Sequence, residues 1–158
     1  MKRNFCVVVL MMICMNCFAL DNPFASPESM VRKAEQLYDR GKDEEAFDLY
    51  YKAAEKGNTH AQYAVGFMYR RGQGTREDYT RARRWLEMAA RSNYAPAQKE
   101  LGDIYAYGLG VEQDTAKARE FYKKAIDNGS DEAADALKDL DNLSKSIYDL
   151  NNLFNFDF

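Results

Sequence analysis

The chain repeats itself at a fixed spacing. "AQYAVGFMYRRGQG" (61–74) laid over "AQKELGDIYAYGLG" (97–110) matches Ala61 to Ala97, Gln62 to Gln98, Gly66 to Gly102 and Tyr69 to Tyr105. It also matches Gly72 and Gly74 to Gly108 and Gly110, and the register continues through Asp78/Asp114, Ala82/Ala118 and Ala89/Ala125 at a constant 36 residues with no gap. Ala46, Tyr50, Ala53, Ala54 and Gly57 stand 36 residues before Ala82, Leu86, Ala89, Ala90 and Asn93. The first half of that upstream copy, "AEQLYDRG", matches "VGFMYRRG" at an offset of 31, so it lacks five residues where the later copies carry "QGTRE" and "LGVEQ". A fourth, partial copy opens at "SDEAADAL", with Ala133 in the place of Ala97. A unit this small cannot bury its own apolar face, so such copies stack on their neighbours.

Each copy reads as helix–turn–helix. Ala61, Val65, Met68 and Tyr69 keep helical spacing, as do Leu101, Ile104 and Tyr105. Ala82, Trp85, Leu86 and Ala89 do the same in the second half, echoed by Ala118, Phe121, Tyr122 and Ala125. Small residues at fixed places (Gly66, Ala82, Ala89) let helices approach, and Tyr69, Trp85 and Phe121 fill the gaps. Asp78 and Asp114 suit helix N-caps, Gly57 and Gly129 suit helix ends needing positive φ, and Ser26-Pro27-Glu28 marks the first helix start.

The pattern A-Q-Y-x-x-G-x-x-Y-x-x-G-x-G-x-x-x-D-x-x-x-A-x-x-W-x-x-x-A-A resembles the Sel1-like repeat, a relative of the tetratricopeptide repeat. The first copy, with its shorter turn, is nearer the tetratricopeptide form. The resemblance covers roughly residues 30–140 and implies an all-α, right-handed α-solenoid that acts as an adaptor or scaffold in protein complexes. The expected organisation is a leader over 1–19, a linker over 20–29, repeats over 30–140, and a capping helix with an aromatic tail over 141–158.

In this family the defining positions of each first helix form the core, which leaves the variable positions to face the concave groove. Those are Lys33, Gln36 and Arg40, then Ala64, Phe67 and Arg71, then Glu100, Asp103 and Tyr107. The stripe is cationic, then aromatic and cationic, then acidic and aromatic. It suits a charged peptide or loop with an apolar anchor, since Arg and Tyr are typical hot-spot residues; the alternative is a solvated helix face. "YRRGQGTRED" (69–78) looks like an anion cradle when read alone. Its counterpart 36 residues on keeps the glycines and replaces Arg70 and Arg71 by Ala106 and Tyr107. The glycines are therefore assigned to the turn, with Arg70 and Arg71 as candidates for specific binding. Arg76, Arg81, Arg83 and Arg84 are interleaved with Glu77, Asp78 and Glu87 and read as ordinary surface pairs.

The first nineteen residues differ in kind. Lys2 and Arg3 precede an apolar run from Phe5 to about Met15, and Cys17-Phe18-Ala19 supplies small residues at −3 and −1. This is the form of a secretory signal peptide cleaved after Ala19, and the run is short for a membrane span. A lipoprotein cleaved before Cys17 and an uncleaved anchor are the alternatives. Cleavage removes all three cysteines, Cys6, Cys14 and Cys17, and leaves 20 basic against 25 acidic residues. The expected product is periplasmic or secreted, has no stable membrane span, and lacks the basic excess of a nucleic-acid binder.

His60 is the single histidine. It leaves no His-based zinc site and no Ser/His or Cys/His arrangement of ordinary form, so neither cofactor nor catalysis is expected. A carboxylate pair supporting cell-wall hydrolysis is one alternative; a ligand-binding protein, or an inhibitor or immunity protein of a specific enzyme, is another. At the C-terminus Leu137, Leu140, Leu143, Ile147, Leu150 and Phe154 keep helical spacing and are expected to cover the open end of the solenoid. Phe154, Phe156 and Phe158 then alternate with polar residues. They read either as an extended contact segment for a partner or as a tail folded onto the last helices.

Overall fold

The computed structural model describes residues 25–154, which form seven α-helices in tandem. They are α1 (Pro27–Tyr38), α2 (Asp43–Glu55), α3 (Thr59–Arg71), α4 (Tyr79–Arg91), α5 (Ala95–Tyr107), α6 (Thr115–Asp127) and α7 (Asp131–Phe154). The expected leader, Phe156 and Phe158 lie outside the described residues.

Helix boundaries follow from local chemistry. The Ser26, Asn58, Asp78 and Asp114 side chains each accept a backbone N–H three residues on, and Pro27 occupies the first turn of α1. Gly72 and Gly108 end α3 and α5 in the left-handed conformation, with φ of 64° and 67°. The long turns of copies two and three close identically, by Asp78 N–H to the Tyr69 carbonyl at 3.0 Å and Asp114 N–H to the Tyr105 carbonyl at 2.9 Å. Gly57 and Gly129 have φ of 87° and 90°, and Asn93 takes the equivalent place with φ 58°. The caps expected at Ser26, Asp78 and Asp114, and the positive φ expected at Gly57 and Gly129, are found.

Each helix packs mainly on its neighbours in the chain, and the first helices α3, α5 and α7 also touch one another in succession as an inner row. Three apolar clusters run along the stack, centred on Ala46, Tyr50 and Val65, then on Leu86, Leu101 and Ile104, then on Ala118, Tyr122 and Leu140. The repeating glutamine joins units: Gln62 Nε2 donates to the Ala54 carbonyl at 3.4 Å, and Gln98 Nε2 donates to the Ala90 carbonyl at 3.2 Å. Each thereby adds a side-chain donor to a carbonyl at the end of the preceding second helix that also accepts a backbone N–H, from Gly57 at 2.9 Å and from Asn93 at 3.0 Å.

The turn glycines join units too. A Cβ on Gly74 would stand 2.2 Å from the Asp43 carbonyl oxygen at the start of α2, and one on Gly110 would stand 2.6 Å from Tyr79 Cβ at the start of α4. Asp43 and Tyr79 are themselves 36 residues apart, so each turn rests on the second helix of the unit before it. A pocket of about 630 Å³ lies beside that contact, and its walls carry Asp43, Glu44 and Glu45 as well as Arg76. Lys42 also lines it but is already paired with Glu45 at 2.7 Å, so the three carboxylates outnumber the two cations and oppose an anion there.

The end cap differs from expectation. Ala133, Ala136, Leu137 and Leu140 pack on α5 and α6, whereas Leu143 and Ile147 are exposed. The 24 residues of α7 outrun the 13 of α5 and α6, so its second half projects past the helices it would cover.

Candidate partner-binding groove

The inner row carries most of the residues singled out in the sequence. On α1, Gln36 is exposed and Lys33 is half-buried, and Arg40, in the turn that follows α1, is exposed. On α3, Phe67 is half-buried, with the guanidinium of Arg71 at 5.3 Å and that of Arg70 at 5.8 Å from its ring centroid. On α5, Tyr107 is 73 % exposed.

The two carboxylates of the stripe are placed differently from Tyr107. Glu100 is buried, its Oε2 2.6 Å from Arg70 Nε, an ion pair that ties α5 to α3. Burial pushes the Glu100 carboxyl above the usual carboxylate range, and the Arg70 charge pulls against it. Asp103 is buried as well: Lys99 Nζ donates to its Oδ2 at 2.8 Å, and the Tyr122 hydroxyl donates to its Oδ1 at 2.9 Å. Burial pulls the Lys99 ammonium down, but its hydrogen bond to Asp103 and the neighbouring carboxylates outweigh that and leave it raised. Ala64, expected on the groove face, is buried in the core.

Sequence reasoning missed an aromatic group beside Phe67. Tyr63 lies 6.0 Å from Phe67 and 5.4 Å from Tyr94, centroid to centroid. The Tyr94 hydroxyl is 2.9 Å from His60 Nδ1, and His60 Nε2 faces Glu35 of α1 at 3.4 Å. His60 thus sits in the first turn of α3 and bridges α1 to the Tyr94 segment. The Tyr63 hydroxyl is pushed up to about 12, first by burial and then by Glu100, Tyr94 and Glu132. Period 2 or 3.6 alone does not mark Tyr63, but its counterparts 36 and 72 residues on, Lys99 and Asp135, also line the groove.

Of the four arginines expected to pair on the surface, Arg81 and Arg83 do so, and no ion pair of Arg76 or Arg84 is found among the described residues. Arg83 meets Glu87 at 2.8 Å and Arg81 meets Asp78 at 3.3 Å. Arg119 of α6 pairs with Asp141 of α7. Among the described residues, no three His, Cys, Asp or Glu side chains converge as metal ligands, and no helix is long and apolar enough to cross a membrane. Phe154 ends α7, and its side chain lies outside the described residues.

Tandem helix pairs with a continuous inner row define a helical-repeat solenoid. The Sel1 repeat model matches residues 32–58, 59–94 and 95–130, and the chain belongs to the Sel1-repeat family. A Sel1 repeat protein from Oxalobacter formigenes is 32% identical with a TM-score of 0.65, over 71% of this chain and 47% of that one. The protein c5321, a protective antigen present in uropathogenic Escherichia coli strains and displaying an SLR fold, is 32% identical with a TM-score of 0.66, over 70% and 25%. The present chain thus spans less than half of either relative's length. Helicobacter pylori cysteine rich protein B, 21% identical with a TM-score of 0.55 over 73% of this chain and 100% of its own, shares the fold. Comparison with curated protein sequences gives no match.

Proposed function

We propose that this chain is an exported, non-catalytic adaptor that holds another protein or peptide in its concave groove. The observation that carries this reading is Tyr107, an aromatic side chain standing 73 % exposed on the inner row of the helical stack. Phe67 with Arg71 at 5.3 Å lies on the same row one repeat earlier. Exposed aromatics and arginines on one concave face have the composition of interface hot spots. The two carboxylates that the sequence singled out argue against a hydrolytic role for themselves. Glu100 faces Arg70, and Asp103 is held by both Lys99 and Tyr122, so neither is free to take up or release a substrate proton.

Export is supported by the leader over residues 1–19, and the mature chain recovered from an envelope fraction should begin at Leu20. Intact-mass measurement reads this directly. Groove binding is tested by crosslinking and pull-down from the native envelope with the Phe67→Ala, Arg71→Ala, Tyr107→Ala triple variant. The wild type should retain a specific partner that the triple variant loses. Retention of every partner by the variant would overturn the reading.

A further inference from the structure

We infer that the half of the groove between α5 and α7 takes a cationic segment that carries an apolar anchor. This rests on the groove reading above and names the chemistry of its occupant. Between these helices lies a cavity of about 510 Å³. Ala106, Ala136 and Leu140 supply apolar lining. Tyr107 of α5 and Leu143 of α7 line it as well and are 73 % and 58 % exposed. Two large side chains kept in water at one cavity are the unfilled half of an apolar contact.

Charge decides what fills it. The cavity is edged by Asp103, Glu132, Asp135 and Asp139 against a single ammonium, Lys99. Lys99 is already held by Asp103 at 2.8 Å. Glu132, Asp135 and Asp139 form no ion pair among the described residues, and all three are exposed. Their spacing of three and four places them on one face of α7, where they repel one another. A lysine or arginine entering here lays its methylene stem on Leu140 and Leu143, puts its charge among the three carboxylates, and can stack on the Tyr107 ring. A segment bearing carboxylates meets like charge instead. The other end of the groove has the opposite sign, with Arg71 exposed beside Phe67, so the cationic part of an occupant is directed to α7.

The test uses the full chain and a fluorescein-labelled synthetic peptide with two leucines four residues apart, flanked by lysines. Two analogues of equal length accompany it, one with each Lys replaced by Glu and one with each Leu replaced by Ala. Fluorescence anisotropy should show binding of the lysine–leucine peptide and a loss of about tenfold or more for each analogue. Asp135→Asn combined with Asp139→Asn should lose about tenfold as well, and added salt should weaken binding. Both positions are exposed, so the double variant folds, and its thermal unfolding serves as the control. Absence of lysine–leucine peptide binding overturns the inference. So does equal binding of the glutamate analogue or by the double variant, and equal binding of the alanine analogue reveals charge adsorption only. If sedimentation shows a dimer that excludes the peptide and that Leu143→Arg dissociates, the occupant is a second copy and the inference falls. The groove reading is scored separately: it fails if the Phe67, Arg71 and Tyr107 triple variant still retains every partner, whatever the peptide does.

Discussion

Arg70 Nε and Glu100 Oε2 face each other at 2.6 Å across two consecutive repeats, and both atoms are sealed from water. An ionised carboxylate in that position is costly unless the guanidinium stays beside it. The pair is therefore a register lock between α3 and α5 as well as part of the groove floor.

Removing one partner should reveal this through pH. Burial raises the Glu100 pKa in the folded state, so the stability tied to its neutral form is present at low pH and lost as pH rises through the folded value. Arg70 limits that loss. Arg70→Met should cost about 3–5 kcal/mol near neutral pH, where Glu100 would be buried as a bare anion, and much less near pH ~4, where it can stay protonated. Urea denaturation at the two pH values reads the difference, and an equal loss at both would contradict it.

Gly102 should not accept a methyl group. A Cβ there would lie 2.4 Å from Tyr122 Cε1, and the Tyr122 hydroxyl is bound to Asp103 at 2.9 Å, so the ring cannot swing aside. Alanine gains about 1 kcal/mol of helix propensity but overpacks the α5–α6 contact. Gly102→Ala is expected to lose about 1–3 kcal/mol net in chemical denaturation. A stabilised variant would mean that the two helices separate freely.

The turn glycines should differ in their tolerance. Gly41 and Gly74 both have positive φ, 72° and 64°, but a Cβ on Gly41 meets nothing within 4 Å while one on Gly74 would press on the Asp43 carbonyl at 2.2 Å. Gly41→Ala should cost only the left-handed backbone term of about 1–2 kcal/mol. Gly74→Ala should cost clearly more, because the turn must lift off α2. Thermal unfolding of the two variants side by side gives the order, and equal melting temperatures would remove the second glycine's role in stacking.

Tyr107 should matter for binding and not for folding. With its side chain 73 % exposed, Tyr107→Ala should change stability by no more than about 0.5 kcal/mol. Retention of a groove partner should fall by about tenfold or more. A large stability loss with unchanged retention would place Tyr107 in the scaffold instead.

Much of the groove was legible because the 36-residue period carries position from one unit to the next. Phe67 and Asp103 are one such pair, and Arg71 and Tyr107 another, both read from the α3 positions forward. Carrying the register into α7 finds Asp135, Asp139 and Leu143, which the first three copies alone do not suggest. The series of Ala64 and Glu100 was taken one step too far around the helix. It points into the stack, where a small residue fits directly and a carboxylate requires Arg70 beside it.

Repeat length, helix ends, caps and turn glycines were determined by the sequence alone, because each depends on residues a few places apart. Asp78 bonding the N–H of Arg81 needs no other helix. Tertiary structure alone decided which charged residues became structural: Glu100 needs Arg70 thirty residues away, and Asp103 needs Tyr122 nineteen residues away. It also decided that Leu143 stays in water while Leu140 is buried, since helical spacing gives both the same apolar face. The difference is where α5 and α6 stop. A side chain's pattern can mark it as apolar, but only a second surface at the right height can bury it.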